Sequence, residues 1–133
     1  MTLLVDTNVL IDVLQDDPEW ADWSIGQLRA QALIHTLAIN GIIYAELSLS
    51  FSSVEALDRV VARMELTLHE IPRPALFLAG KAFAQYRRRG GLRTQVLPEF
   101  FIGAHAAVRG WPLLTRDAAR YRSYFPSLRI VAP

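Results

Sequence analysis

Residues 2–10 read TLLVDTNVL, an apolar run that breaks off at Asp6 and then resumes. The first four residues show no polar alternation, which is typical of a short strand buried on both faces, as in a parallel sheet. Asp6, Thr7 and Asn8 are residue types that cap helices, and the apolar residues after them predict a helix. The stretch therefore predicts a strand that passes directly into a helix, the unit of an α/β fold.

The rest of the chain repeats this alternation. Further helices are predicted from Asp17-Pro18 to about Gln31, over 42–49, over 54–64, from Pro74 to about Arg89, over 99–108 and over 118–121. Further strands are predicted over 33–39, 66–69, 112–115 and 128–131. Such an order implies a parallel sheet covered by helices on both faces. Ligands of such sheets bind beyond the carboxyl ends of the strands.

Length and composition narrow the class of protein. A chain of 133 residues suits one domain covering residues 1–133, and 52% hydrophobic residues are enough for a buried core. No apolar run reaches the ~20 residues of a membrane span, and no basic segment typical of a signal peptide precedes Asp6. The absence of cysteine excludes disulfides and thiolate metal sites. We therefore expect a cytoplasmic protein that does not enter a membrane.

The net charge of +1 conceals a strong asymmetry between the two halves of the sequence. Residues 1–72 hold eleven of the thirteen acids and three of the fourteen bases, whereas residues 73–133 hold the other eleven bases. Thirteen of the fourteen bases are arginine, which suits bidentate contacts with phosphate. The basic half indicates a polyanionic or acidic partner, unless the two halves interleave in space and their charges mix.

Four acids stand out by their positions, namely Asp6, Glu46, Glu99 and Asp117. Asp6 and Asp117 follow strongly apolar predicted strands, Glu99 begins a predicted helix, and Glu46 lies within an apolar helix. Taken singly, three of them could be helix caps or first-turn acids, and Glu46 could face solvent. Taken together, they predict a shared site at one edge of the sheet.

Carboxylates gathered in this way would favour a bound cation. At ~6 Å apart and an effective dielectric near ~20, each pair would repel by ~3 kcal/mol, and a divalent cation removes that cost. An all-carboxylate ligand set selects Mg²⁺ or Mn²⁺ over zinc. Such an ion can activate water and stabilise the charge that develops in phosphodiester cleavage.

Four segments carrying these acids resemble, in order, the four acidic motifs of the PIN domain. They are VDTNVL (5–10), YAEL (44–47), LPEFFIGAHA (97–106) and LTRD (114–117). The resemblance covers nearly the whole chain. The segment around Glu99 is specifically similar to VapC-type toxins of toxin–antitoxin pairs.

The resemblance implies an α/β/α sandwich with a short central parallel sheet. It also implies a Mg²⁺- or Mn²⁺-dependent endoribonuclease that cleaves RNA, forms homodimers and binds a cognate antitoxin. By position, the four acids would be the catalytic metal ligands, and Asn8 and Thr115 would be supporting polar groups. An antitoxin arm would lie on apolar surface near residues 20–28 and 42–51. The chain departs from the family pattern at Glu99, where the motif usually has aspartate.

Several other interpretations remain open. Arg93 and Arg116 flank two of the acids and could contact the substrate, and the three histidines lack ligand spacing and are interpreted as structural. A dehalogenase-type phosphoryl-transfer enzyme would have a second aspartate where Asn8 stands, and a two-carboxylate glycosidase would need a larger cleft. The main rival is a non-enzymatic module in which Glu99 has weakened catalysis and the fold binds antitoxin or RNA.

Overall fold

The computed structural model of the chain describes all 133 residues and contains one five-stranded sheet with strand order β3-β2-β1-β4-β5. Its strands are β1 (Thr2–Val5), β2 (Thr36–Asn40), β3 (Thr67–His69), β4 (Leu113–Leu114) and β5 (Ile130–Val131). Every neighbouring pair is parallel. The predicted α/β class with a short parallel sheet is therefore confirmed.

Seven helices connect and cover the strands. They are α1 (Thr7–Leu14), α2 (Ala21–Ala32), α3 (Gly41–Leu47), α4 (Val54–Arg63), α5 (Arg73–Arg88), α6 (Pro98–Arg109) and α7 (Ala118–Tyr124). A 3-10 turn at Ser48–Ser50 extends α3. Side chains cap the N-termini of three helices, since Asp6 accepts from the Thr7 amide, Asn40 from the Ile43 amide and Ser53 from the Ala56 amide. Gly110 ends α6 in the left-handed conformation, at φ 68°.

Two elements begin three residues later than the sequence predicts. The second helix begins at Ala21 and not at Pro18, because the Asp17 carboxylate accepts hydrogen bonds from the amides of Glu19 and Trp20, both at 2.9 Å, and holds a turn there. The second strand begins at Thr36 and not at Leu33, because residues 33–35 bond back to the last turn of α2. The apolar side chain of Leu33 is 86% exposed, so hydrophobicity alone misplaced this strand.

The centre of the core is β1, whose residues Leu3, Leu4 and Val5 are completely buried. This burial agrees with its position in the middle of the sheet and with its unbroken apolar sequence. Since all strands are parallel, their carboxyl ends meet at one edge. Asp6, Asn40 and Thr115 come at or directly after the ends of β1, β2 and β4. None of the seven helices combines the length and the apolar character needed to span a bilayer.

Candidate active site

The four predicted acids line one open cavity of about 470 Å³ at the carboxyl edge of the sheet. Asp6 lies between β1 and α1, and Glu46 lies on α3. Glu99 occupies the first turn of α6, and Asp117 directly precedes α7. Residues that are up to 111 positions apart in the sequence thus share a single solvent-accessible space.

Asp6 is the buried member of the set, with 6% of its surface exposed. Its Oδ1 accepts from the Thr7 amide at 2.7 Å, and its Oδ2 accepts from the hydroxyls of Thr115 at 2.8 Å and Tyr121 at 2.9 Å. Burial raises the pKa of Asp6 above its usual 3.8, although these three donors lower it, and the nearby charge of Glu46 raises it further. Asp6 is therefore a rigidly oriented, largely buried carboxyl group with a second negative charge nearby.

The other three acids are more exposed to the cavity. Glu46 accepts a hydrogen bond of 2.6 Å from the Thr7 hydroxyl. Arg120 lies between the remaining two, with its Nη1 3.3 Å from Glu99 and its Nε 3.4 Å from Asp117. A guanidinium therefore already balances part of the negative charge at this edge.

Asn8 and Thr115 join the segments that follow β1 and β4. The Asn8 amide donates to Thr115 Oγ1 at 3.3 Å and to Asp6 Oδ2 at 3.4 Å, and its Oδ1 accepts from the Arg116 amide. Thr115 Oγ1 also accepts from the Asp117 amide at 3.0 Å. Thr115 is completely buried. Together they fix the backbone that presents Asp6 and Asp117.

The two arginines that sequence reasoning singled out lie in different surroundings. Arg116 lines the cavity, but its guanidinium forms a bidentate ion pair with the buried Asp12, at 2.6 and 3.0 Å. It also lies 5.2 Å from the centre of the Trp20 ring. Arg93 does not line this cavity and lies in a neighbouring one. Arg116 is thus held mainly by α1 and by the segment before α2.

Sequence reasoning missed Asp12, Arg120 and Tyr121. The spacing of Arg120 three residues after Asp117 is a signal for an ion pair on one helix face. Asp12 interrupts the apolar face of α1, and an acid on such a face needs a partner, so it too could have been noticed. No local signal shows that the hydroxyl of Tyr121 reaches Asp6, because that contact depends on how α7 packs against α5 and α6.

The donor chemistry of the cavity fits a hard divalent cation, since all four acids offer carboxylate oxygens. The charge of Glu46 raises the pKa of Asp6, and a bound cation would offset the repulsion between these two carboxylates. In this conformation, no three acidic or histidine side chains lie close enough together to share one ion. Binding would therefore require Glu46, Glu99 or Asp117 to change rotamer, while Asp6 keeps its place.

His105 is a structural residue, as its lack of ligand spacing suggested. Its Nδ1 accepts from the Asn40 amide at 3.1 Å, because the Asn40 oxygen is already used to cap α3. The side chain is completely buried, and its Nε2 has no hydrogen-bond partner. Burial lowers the pKa of His105 to about 4, so the ring is neutral at physiological pH.

The chain is similar to known proteins over nearly its whole length. The family model described as PIN domain matches residues 3–125. Among solved structures, VapBC2 from Rickettsia felis bound to a promoter DNA fragment is 19% identical, with a TM-score of 0.75, and covers 99% of this chain and 98% of that chain. VapBC-1 from nontypeable Haemophilus influenzae is 18% identical, with a TM-score of 0.71 and the same coverage.

A third similar structure is DNA-bound VapBC from Salmonella typhimurium, at 23% identity and a TM-score of 0.70, covering 99% of this chain and 98% of that chain. At such identities the likeness establishes the fold. No curated protein matches the chain in sequence.

Proposed function

Because the chain belongs to the PIN-domain family, we propose that it is a Mg²⁺- or Mn²⁺-dependent endoribonuclease and the toxin of a toxin–antitoxin pair. The observation that carries this proposal is the gathering of Asp6, Glu46, Glu99 and Asp117 around one cavity. The structural likeness to complexes named VapBC supports the toxin assignment. The proposed unit is a single domain over residues 1–133.

In the proposed mechanism, the four carboxylates hold the cation. When bound, it supplies Lewis-acid stabilisation of the charge on the phosphate and lowers the pKa of water. Asp6 is the fixed reference point, because Thr7, Thr115 and Tyr121 prevent it from rotating. Asn8 and Thr115 are supporting groups that keep the segment before Asp117 in register with Asp6.

Glu46 is the carboxylate best placed to move a proton. One of its oxygens accepts from the Thr7 hydroxyl, and the other has no partner in the chain. A water that attacks phosphorus loses a proton to a nearby base, and the leaving oxygen of the broken P–O bond gains one. We assign the first of these transfers to Glu46, and we assign Arg93 to the approach of the substrate, since Asp12 neutralises the guanidinium of Arg116.

The direct test is cleavage of single-stranded RNA with Mg²⁺, with Mn²⁺ and with chelator. Asp6→Asn should abolish cleavage and leave the fold intact, since asparagine keeps the shape and an oxygen that can accept from the Thr7 amide. Asp22→Asn is the matched control, because Asp22 is exposed on α2 and does not line the cavity. Cleavage by Asp6→Asn at the parent rate would refute the site, and absence of metal-dependent cleavage by the parent would refute the enzyme.

We propose that an antitoxin segment binds an apolar groove between α1, α2, β2 and α4. The groove has a volume of about 440 Å³ and is bordered by Arg29 and Arg63, with seven hydrophobic residues among its nine lining residues. Ile25 and Leu28 lie in it, as expected for the surface near residues 20–28, but residues 42–51 do not line it.

The groove predicts an amphipathic partner with acidic groups at the rim. The product of an adjacent reading frame should co-purify with the chain, and Ile25→Asp should disrupt the complex. Leu76→Asp is the control, because Leu76 is an exposed apolar residue that does not line the groove. Light scattering of the purified chain would test the proposed homodimer.

A further inference from the structure

A second cavity lies directly beside the carboxylate cavity. It has a volume of about 380 Å³, and its lining includes Tyr86, Phe100, Tyr124, Arg93, Arg120 and Glu99. Glu99 and Arg120 also line the carboxylate cavity, so their ion pair forms a wall shared by the two spaces. A polymer bound at the carboxylates would therefore have its next unit at the entrance of the second cavity.

The aromatic side of this cavity is rigid. The Phe100 ring is 5.2 Å from that of Tyr124 and 5.6 Å from that of Tyr86, with interplanar angles of 73° and 60°. Phe100 is buried, whereas Tyr86 and Tyr124 are partly exposed. Edge-to-face packing of this kind holds the two tyrosine rings in place. The Arg89 guanidinium lies 5.2 Å from the centre of the Tyr124 ring and does not line the cavity, so one face of that ring is covered and the rest offers preorganised aromatic surface to the cavity.

On the charged side of the cavity, the backbone of Arg93 is held in place, whereas its side chain is free. The Arg93 amide donates to the Tyr86 hydroxyl, and Arg87 donates from its guanidinium to the carbonyls of Gly91 and Arg93 at 2.9 and 3.0 Å. The guanidinium of Arg93 itself makes no ion pair. The loop is therefore fixed, while one planar cation remains available to a ligand.

We propose that this second cavity binds a nucleobase of single-stranded RNA next to the phosphate that is cleaved, with Tyr124 as the stacking surface and Arg93 as the planar cation. This inference rests on the proposed ribonuclease function. Aromatic rings and guanidinium planes are the groups on which proteins stack unpaired RNA bases, whereas bases inside a duplex are inaccessible to them. The Tyr86 and Tyr124 rings favour a nucleobase over an acidic peptide, which is the other ligand that Arg93 would suit.

The test separates binding from cleavage. Binding of a fluorescent single-stranded RNA is measured in an Asp6→Asn background, which should prevent cleavage and removes one charge that repels RNA. Tyr124→Leu should weaken binding by roughly tenfold, since it removes the stacking surface. Tyr124→Phe, which keeps the ring, should bind within about twofold of the background in the same comparison. Arg93→Gln should weaken binding more than Arg93→Lys, because lysine keeps the charge but not the planar fork.

Two further measurements would show no effect if these residues had only a structural role. RNA containing 4-thiouridine should crosslink to a peptide that carries Tyr86 or Tyr124. In the cleavage-competent chain, Arg93→Gln should reduce the base preference at the position beside the cut. Arg93 is exposed, so this variant remains informative if Tyr124→Leu does not fold.

Unchanged RNA binding, unchanged base preference and crosslinks elsewhere, in a chain that cleaves RNA, would overturn the second site and leave the proposed function standing. A parent chain that neither binds nor cleaves RNA would overturn both. Cleavage by the Asp6→Asn background would point instead to an error in the catalytic assignment.

Discussion

Arg120 is the cation with which a metal ion would compete at the carboxylate cavity. Its guanidinium contacts both Glu99 and Asp117, at 3.3 and 3.4 Å, and two of the four proposed ligands are thereby partly neutralised. Replacing Arg120 with glutamine keeps a side chain of similar polarity and removes the charge. We expect Arg120→Gln to bind Mn²⁺ more tightly than the parent chain, because neither carboxylate then has to leave an ion pair.

The size of this effect follows from the exposure of the pairs. The Arg120 side chain is 56% exposed, so each pair belongs to the weak, solvent-screened class worth about 0.2–1 kcal/mol. Two such pairs sum to about 0.4–2 kcal/mol, which corresponds to roughly 2- to 30-fold in a dissociation constant. The exposure of Asp117, at 46%, favours the lower part of that range. We therefore expect a gain of about three- to tenfold in Mn²⁺ affinity.

Isothermal titration of Mn²⁺ into chelator-treated protein measures this gain directly. Arg122→Gln is the matched control, because Arg122 is exposed on the same helix and pairs with no carboxylate. The gain should also shrink in 1 M salt, where the Debye length falls to about 3 Å. If Arg120→Gln binds Mn²⁺ no better than Arg122→Gln, then Arg120 does not compete with metal and our account of the cavity's charge is wrong.

Three other variants test separate parts of the structure. Glu99→Asp withdraws the carboxylate from Arg120 by roughly 1.5 Å, and it should raise Mg²⁺-dependent cleavage by about tenfold or more, because a misplacement of about 1 Å can cost ~10²-fold; an unchanged rate would show that the site is adapted to glutamate. Tyr121→Phe removes a donor to Asp6 and should lower the free energy of unfolding by about 1.5–3 kcal/mol, measured by urea denaturation. The loss of free energy of unfolding should be smaller in an Asp6→Asn background. Equal losses in the two backgrounds would mean that the hydrogen bond from Tyr121 does not depend on the Asp6 carboxylate. The pKa of His105 is lowered to about 4, so the unfolded chain takes up the proton first and stability should fall as the pH drops from about 6.5 to about 4, by at most about 3 kcal/mol. A pH profile of stability that His105→Gln does not flatten would refute this origin.

The parts of the fold that the sequence predicts are those determined by neighbouring residues. An apolar run followed by a capping aspartate is enough to predict β1, α1 and the position of Asp6 at the strand end. The same rule places Asp117 beyond β4, and the parallel order of the strands brings the two aspartates to one edge. The shared cavity of the four acids was expected for this reason.

The errors arise where two local preferences compete. Pro18 suits the first turn of a helix, but the Asp17 carboxylate binds the amides of Glu19 and Trp20 and stabilises a turn in its place. Leu33 and Ile34 suit a strand, yet the chain keeps them exposed, because the amides of residues 33–35 complete the end of α2. Neither outcome can be read from hydrophobicity alone.

The chemistry that could not be predicted depends on contacts between distant parts of the chain. Arg116 precedes Asp117 in sequence, which suggested a role with substrate, but Asp12 and Trp20 hold its guanidinium. Tyr121 donates to Asp6 across 115 positions of sequence. The Tyr121 contact depends on the packing of α7 against α5 and α6, and that packing has no signature in a single sequence.

The two halves of the sequence, one acidic and one basic, meet at the site, and their meeting bears on how an anion could bind there. Asp6 and Glu46 from the acidic half lie with Glu99 and Asp117 from the basic half, so the cavity holds four carboxylates. Two arginines line this cavity. Arg116 is neutralised by Asp12, which lies outside the cavity, so Arg120 is the arginine whose charge acts within it. A phosphate would therefore meet net negative charge unless a cation were bound first. Under the proposed function, a divalent ion would contribute to holding RNA as well as to cleaving it, which would explain why the site is built from acids while free arginines such as Arg93 lie around it.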